Sequence, residues 1–345
     1  MFTTSANGEQ ELPEQSSGGG TIGGVPVRYF ALTFPKRYFA ASGLRDAVRQ
    51  LLRKVDLVHL HGLWNIPVWT AAVECMKYGV PFVVSPRGML DHGSLAHHRW
   101  RKEFCYRLWE RRYLCRATFL HATSDNEEAS LGGRALGPEI ACIPNGLWLP
   151  DAPPPSLVME KLGVDGDRPI VLYLGRLHPS KRLDLLVAAT AIARQQDPRI
   201  QLVIAGAEDG IHRAPLLGGA PEWCRWVGEV DDANRWAVLS EASVLVMCSD
   251  SESFGMSVLE SLAAKTPVVV TRTCPWGVVE RERCGFWVEQ RAEDIASAIL
   301  KIVRDPAGAR AMGERGRKLV EERFFWGAIG RQMARRYERA LMSST

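Results

Sequence analysis

The stretch Ile170-Val171-Leu172-Tyr173-Leu174-Gly175-Arg176-Leu177-His178-Pro179-Ser180-Lys181 decides the fold. Its first five residues are apolar or aromatic without a break, bounded by Pro169 and Gly175, which is the pattern of a strand buried on both faces of a parallel sheet. Gly175 lets the backbone come close to a ligand, and Arg176 and Lys181 place two cations on the turn into the next helix. A lysine in the first turn of a helix sits where the macrodipole favours an anion, so it gains by reaching for one. The pair therefore points to a phosphate or diphosphate. A solvated turn with incidental charge is the alternative.

The same alternation of short apolar runs and helical stretches extends in both directions. Downstream, strands are expected at 201–205, 225–227, 244–248, 268–271 and 286–288, with helices at 181–195, 232–241, 256–264, 291–304, 307–322 and 325–342. Upstream, strands are expected at 27–30, 57–61, 81–85, 118–122 and 140–143, with helices at 43–53, 67–78, 96–115 and 125–136. Two doubly wound α/β domains follow, and such sheets bind ligands at the carboxyl ends of their strands. The stretch 149–155 carries four prolines and reads as an interdomain linker. The expected division is 1–148, 149–324, and a C-terminal helix at 325–345 crossing back to the first domain. The first 24 residues, rich in Gly, Ser and Glu, read as a surface loop or disordered lead-in.

Composition narrows the classes. A chain of 345 residues suits two domains, and 46% hydrophobic with 24% charged residues excludes wholesale disorder. A net charge of +4 is too small to argue for nucleic acid, and no apolar run reaches the length of a membrane span. The polar N-terminus lacks a signal core, and eight cysteines fall without a Cys-x-x-Cys or a zinc-like cluster, so a reduced, cytoplasmic protein is expected. Positive charge is concentrated locally. Residues 87–116 hold eight Lys/Arg against three Asp/Glu, a net +5 that exceeds the whole chain's value. This segment is expected to attract an anionic partner, either the inner membrane surface or a lipid-diphosphate acceptor. Its mixture of Arg99, Arg101, Lys102, Arg107, Arg111 and Arg112 with Trp100, Trp109 and Tyr113 also fits nucleic-acid binding. However, Trp100, Phe104 and Leu108 recur at helical spacing, which reads as an amphipathic helix packed on its domain, and no nucleic-acid partner is expected.

A second motif, Asp250-Ser251-Glu252-Ser253-Phe254-Gly255-Met256-Ser257-Val258-Leu259-Glu260, follows the strand at 244–248. Glu252 falls in the loop before a helix and Glu260 on its second turn, while the backbone N–H groups around Gly255 to Ser257 open that helix as an anion site. Carboxylates on both sides of a phosphate-sized site suit a ligand with hydroxyls beside its phosphates. The plain alternative is a capping glutamate and a surface charge.

Together these pieces resemble glycosyltransferase family 4, the group 1 glycosyltransferases. His59-Leu60-His61-Gly62-Leu63-Trp64, Ser85-Pro86-Arg87-Gly88-Met89-Leu90, His121-Ala122-Thr123-Ser124 and Ile143-Pro144-Asn145-Gly146 look like landmarks of that family in order. The resemblance implies a GT-B fold, two Rossmann-like domains facing a cleft. It implies a retaining, metal-independent hexosyl transfer from a nucleotide-sugar to a glycan or lipid-linked acceptor, as in exopolysaccharide or cell-envelope glycan synthesis. By the same resemblance Arg176 and Lys181 hold the donor diphosphate, Glu252 contacts the sugar and Glu260 the ribose. Gly175, Phe254, Gly255 and Met256 complete the donor site, with Gly255 and Met256 offering N–H groups to a phosphate. No cofactor or metal is implied, since fixed cations and dipoles can stabilise the leaving diphosphate. Asp165-Gly166-Asp167 has the spacing of a metal motif but lies in a Pro-bounded turn.

On the acceptor side the candidates are His61, Arg87 and Asn145. His61 also counts among the catalytic candidates with Arg176, Lys181 and Glu252. Arg87 stands where many relatives carry histidine; it stays protonated, so it suits a phosphate or carboxylate on the acceptor and not a general base. His59 is expected to point to the other face of its strand as a structural residue. Gly277 stands where many relatives have an acid. Relatives also place a strand, a Gly-rich loop and a helix before anything like Phe2-Thr3-Thr4. The first domain is therefore expected to lack that unit and the chain to be poorly active. A degenerate, non-catalytic nucleotide-sugar binder is the rival reading. A dehydrogenase is set aside because no Gly-x-Gly-x-x-Gly follows a strand.

Overall fold

A computed structural model describes residues 1–7, 10–11, 19–91, 103–149, 158–208 and 221–342. They form two compact units, Met1–Ile143 with Gln332–Thr345, and Pro144–Arg331.

In the first unit the strands are β1 (Phe2–Thr4), β2 (Ala6–Asn7), β3 (Gln10–Glu11), β4 (Gly20–Ile22), β5 (Val25–Phe30), β6 (Val58–His61), β7 (Phe82–Ser85), β8 (Phe119–Ala122) and β9 (Glu139–Cys142). β6, β7, β8 and β9 make a parallel sheet in that order. The expectation of a surface loop or disordered lead-in is corrected for the described part of residues 1–24; residues 8–9 and 12–18 lie outside the described residues. β1 pairs in parallel with β5, and β4 pairs with β5 as a hairpin, forming a three-stranded sheet. Gly23 and Gly24 both have positive φ, 55° and 79°, as a two-residue hairpin turn demands, so the glycines read as disorder are turn chemistry. Phe2 packs edge-on against Phe30 with centroids 5.3 Å apart, tying β1 to the same core as β6 and β7.

Strand alternation divides the sheet's two faces. Leu60, Phe82, Val84 and Leu120 enter a core with the helices Leu44–Leu51 and Ile66–Tyr78. Val83 and Phe119 face the other way, onto Met333, Tyr337 and Ala340 of the last helix, Trp326–Met342.

The second unit is more regular. Its strands are β10 (Ile170–Leu174), β11 (Gln201–Ala205), β12 (Cys224–Gly228), β13 (Val244–Met247), β14 (Val268–Thr271) and β15 (Gly285–Val288). All pair in parallel in the order β12-β11-β10-β13-β14-β15. Ile170 and Leu172 enter one core and Val171 and Tyr173 the other, so each strand is sandwiched as an unbroken apolar run requires. Leu172 is fully buried, and truncation to alanine costs about 2–5 kcal/mol. The order reverses between β10 and β13, where a doubly wound sheet opens a crevice at the strands' carboxyl ends.

Of the expected linker at 149–155 only Leu149 lies within the described residues. Expected helix 96–115 is described from residue 103 onward, and not as one amphipathic α-helix. Residues Tyr106–Glu110 form a π-helical turn before Arg111–Leu114. The wider turn shifts the inward face, so Tyr106, Glu110, Tyr113 and Leu114 are buried while Phe104 and Leu108 are 59% and 50% exposed. The expected apolar stripe is therefore corrected for Phe104 and Leu108; Trp100, Arg99, Arg101 and Lys102 lie outside the described residues.

Candidate functional site

The two sequence motifs of the second unit follow β10 and β13, the strands on either side of the switch point. They line one cavity of about 450 Å³, shared with Asn145, Tyr173, Gly206 and Arg235.

The first wall is the turn after β10. Gly175 N donates to Ala205 O at 3.0 Å and Leu177 N to Ala207 O at 2.8 Å, continuing the β10–β11 pairing past the strand ends. Gly206 closes β11 so near that a Cβ on it would lie 1.9 Å from Gly175 O. Tyr173 Oη donates to Arg176 O at 2.7 Å and fixes the turn from beneath. Pro179–Lys181 is a short 3₁₀ turn capped by His178, whose Nδ1 accepts from Ser180 N at 3.2 Å. The α-helix begins only at Leu183, after Arg182 with φ 52°, so Lys181 precedes the helix and does not lie in its first turn as the sequence suggested.

The second wall is the loop after β13. Asp250 N donates to Ser180 O at 2.8 Å, joining the two loops, and Lys181 Nζ donates to Glu252 Oε2 at 2.5 Å. Lysine and glutamate are both mostly shielded, with side chains 18% and 15% exposed, so this pair crosses the cavity wall and not open solvent. Gly255 precedes the helix Met256–Ala263, which has no acid in its first turn and no side-chain cap. A Cβ at Gly255 would lie 3.0 Å from both Met247 Sδ and Trp276 Nε1, so the chain needs glycine where the helix opens onto the cavity. Phe254 lines the cavity, but its ring is buried against Trp276 and Phe324, at 5.4 and 6.1 Å, and Trp276 Nε1 donates to its carbonyl.

Glu260 is 8% exposed and accepts from Arg235 Nη1 at 2.9 Å, so the surface-charge alternative is corrected. Burial raises its carboxyl above the ordinary carboxylate range, and Arg235 opposes the rise. Arg235, on the helix Asp232–Glu241 after β12, was not singled out from the sequence. Nothing local distinguishes it from other surface arginines; its place comes from β12's position in the sheet.

In the first unit a second cluster forms at the ends of β6, β7 and β8. His61 Nδ1 lies 3.1 Å from Arg87 Nη2. Arg87 has φ 57°, and the next residue's amide, Gly88 N, donates at 2.7 Å to buried Glu127, which Thr123 also holds. Desolvation of the ring by its packed neighbours and the Arg87 charge push the His61 imidazole down to about 4, although the residue keeps a solvent-exposed edge, so it is neutral near pH 7. The expectation that His59 faces away from His61 is corrected. Residues two apart on a strand share a face, and the two rings stack with centroids 4.2 Å apart. His121, Ser85 and Tyr337 complete this cluster and were missed as site residues, although Ser85 and His121 stand inside motifs the sequence displays.

Comparison with known proteins agrees with this geometry. Residues 157–319 match the family described as "Glycosyl transferases group 1", and residues 1–146 match "Glycosyl transferase 4-like domain". The chain is 32% identical over 313 residues to a D-inositol 3-phosphate glycosyltransferase from Saccharomonospora viridis, covering 84% of this chain and 71% of the relative. It is 34% identical over 229 residues to an alpha-maltose-1-phosphate synthase from Mycolicibacterium smegmatis, covering 59% of this chain and 58% of that one. Among solved structures, sucrose-phosphate synthase from Thermosynechococcus elongatus superposes with a TM-score of 0.78 at 25% identity, covering 100% of this chain and 89% of that one. With both halves matched and the motifs of each placed at strand ends, the chain belongs to the group 1 glycosyltransferases, family 4, and has their GT-B type of fold.

Proposed function

We propose that this chain moves a sugar from a nucleoside diphosphate donor to a glycan or lipid-linked acceptor, with retention at the anomeric carbon and without a metal ion. The observation that carries the donor half is the convergence, in one cavity, of Arg176, Lys181 and an uncapped helix N-terminus with the carboxylates of Glu252 and Glu260. Cleaving the glycosidic bond builds negative charge on the departing diphosphate, and preorganised cations and N–H dipoles stabilise that charge without reorganising. Arg176 and Lys181 hold the diphosphate, with the Gly255 and Met256 amides on a phosphate oxygen. Gly175 lets the donor approach the backbone. Glu252 receives the sugar hydroxyls, Glu260 the ribose, and Phe254 stiffens the cavity wall from behind.

His61 and Arg87 serve the acceptor side, whereas Asn145, expected there from the sequence, lines the donor cavity of the second unit. A permanent cation beside a neutral imidazole suits an acceptor bearing a phosphate, in keeping with relatives named for inositol phosphate and maltose phosphate. We place the reaction in the cytoplasm. Peripheral contact of residues 87–116 with anionic lipid is part of this reading, resting on the segment's net +5 and on exposed Phe104, Leu108 and Trp109.

The test is a panel of nucleotide-sugars with D-inositol 3-phosphate and simple glycans as acceptors, run with and without chelator, with the product's anomeric configuration read by NMR. Turnover with retention in excess chelator is expected. Tight nucleotide binding with no turnover on any acceptor would favour the degenerate binder instead.

A further inference from the structure

The polar cluster of the first unit has a single permitted proton order. His121 Nε2 lies 2.7 Å from Ile143 O. A carbonyl only accepts, so Nε2 carries the ring proton and Nδ1 of the neutral ring is an acceptor. Ser85 Oγ, 2.6 Å from that Nδ1, therefore donates its one proton to His121. Its oxygen is left to accept from His59 Nε2, also 2.6 Å away. His59 Nδ1 then accepts from Tyr337 Oη at 2.6 Å. Ser85 and His121 are 0% and 3% exposed, so water does not compete for these bonds. Burial makes His59 and His121 weaker bases and Tyr337 a weaker acid, which keeps all three neutral as the order requires.

His61 packs against this hydrogen-bond chain through the His59 ring. Its ring stacks on His59, inclined by 24°, and its Nδ1 faces the Arg87 guanidinium, which can only donate. The His61 proton is therefore on Nε2, on an exposed residue at the end of β6.

We infer that Tyr337 is a positioning residue: its hydroxyl closes a one-directional hydrogen-bond chain that fixes the His59 ring as the platform for His61, so that His61 presents a neutral Nε2–H donor beside Arg87. A donor and a cation side by side recognise a ligand group with two anionic oxygens, a phosphate monoester being the natural class. The same geometry denies His61 the role of general base, because its available nitrogen already holds the proton. This rests on the reading of His61 and Arg87 as acceptor-side residues, and the test separates the two.

The experiment uses the full chain labelled with ¹⁵N-histidine and titrated with D-inositol 3-phosphate, with myo-inositol as the uncharged control. Wild type is expected to show His59, His61 and His121 as neutral Nε2–H tautomers at pH 7, with the phosphate shifting the His61 signals and myo-inositol not doing so. Tyr337→Phe keeps the ring but drops the hydroxyl. It should leave His121 unchanged, broaden or shift His59 and His61, and weaken phosphate binding about five- to tenfold, the scale of one lost buried hydrogen bond. Met333→Ala, on the same helix, trims packing without touching the chain; it should lower stability and leave His61 and the affinity alone. Wild-type His59 as an Nδ1–H tautomer, or Tyr337→Phe with unchanged His61 signals, overturns the inference. A wild type whose His61 ignores phosphate, with tautomers as stated, overturns the acceptor reading and leaves the positioning chain standing.

Discussion

Replacing Gly206 by alanine should damage both stability and donor binding, because its side chain has nowhere to go. The new Cβ would lie 1.9 Å from Gly175 O and 2.6 Å from Gly175 C. Both obstacles are backbone, so no rotamer change relieves the clash. Reaching an ordinary contact means opening the gap by about 1.5 Å. The gap is bracketed by the Gly175–Ala205 and Leu177–Ala207 hydrogen bonds, so opening it pulls on both. Gly206 also sits at φ 148°, where a side chain is strained. Overpacking costs about 1–3 kcal/mol and the backbone strain about 1–3 kcal/mol more. The expected loss is thus roughly 2–6 kcal/mol, read as a lower urea midpoint at unchanged slope. The part of the opening that reaches Arg176 misplaces the proposed diphosphate site by the order of 1 Å, enough to cost about a hundredfold in turnover. Urea denaturation and calorimetric titration with nucleoside diphosphates check the two effects, with Gly20→Ala, which meets nothing within 4 Å, as the control. A Gly206→Ala protein with the wild-type midpoint and the wild-type affinity would refute the reasoning.

Other perturbations have equally definite outcomes. Lys181→Met removes the partner of shielded Glu252 and one cation of the diphosphate site, so turnover should fall about a hundredfold with the fold retained by circular dichroism; a wild-type rate would remove Lys181 from the mechanism. Arg235→Met leaves Glu260 with burial unopposed, so its carboxyl titrates still higher and the acid limb of donor kcat/KM moves to higher pH; an unmoved limb separates Glu260 from donor binding. Excess chelator should leave turnover unchanged, and loss restored by magnesium or manganese would contradict metal independence. Folded His59 is pushed down to about 2, against about 6.5 when unfolded, so below pH 6.5 the unfolded chain takes up a proton that the folded one refuses. Stability of the first unit should therefore be full above that pH and fall as pH drops towards 5, by up to about 1.4 kcal/mol per pH unit for this proton. Denaturation at pH 7 and pH 5 checks it, with His59→Gln expected to flatten the dependence.

Much was legible in the sequence because both the fold and the cavity of the second unit rest on short-range signals. The strand-sized runs 170–174, 201–205 and 268–271, apolar but for Gln201 and Thr271 at their ends, match β10, β11 and β14 to the residue, since a strand buried on both faces is apolar along its length. The gathering of Gly175, Arg176, Lys181, Glu252, Gly255 and Glu260 in one cavity was legible for a related reason. Each stands in the loop after such a run or on the helix that follows, and a parallel sheet gathers strand ends at one edge. The edge was thus readable, but not which strands are neighbours along it. Lys181 and Glu252 are 71 residues apart and meet at 2.5 Å only because the order reverses between β10 and β13. Arg235 reaches Glu260, and Gly206 presses on Gly175, by the same ordering. Likewise Tyr337 meets His59 across 278 residues because the last helix covers the face of β6 that carries both histidines. Periodicity along a chain records which residues are buried and which way they face. It carries no record of which buried faces meet, because that is settled by packing between segments the chain connects only at long range.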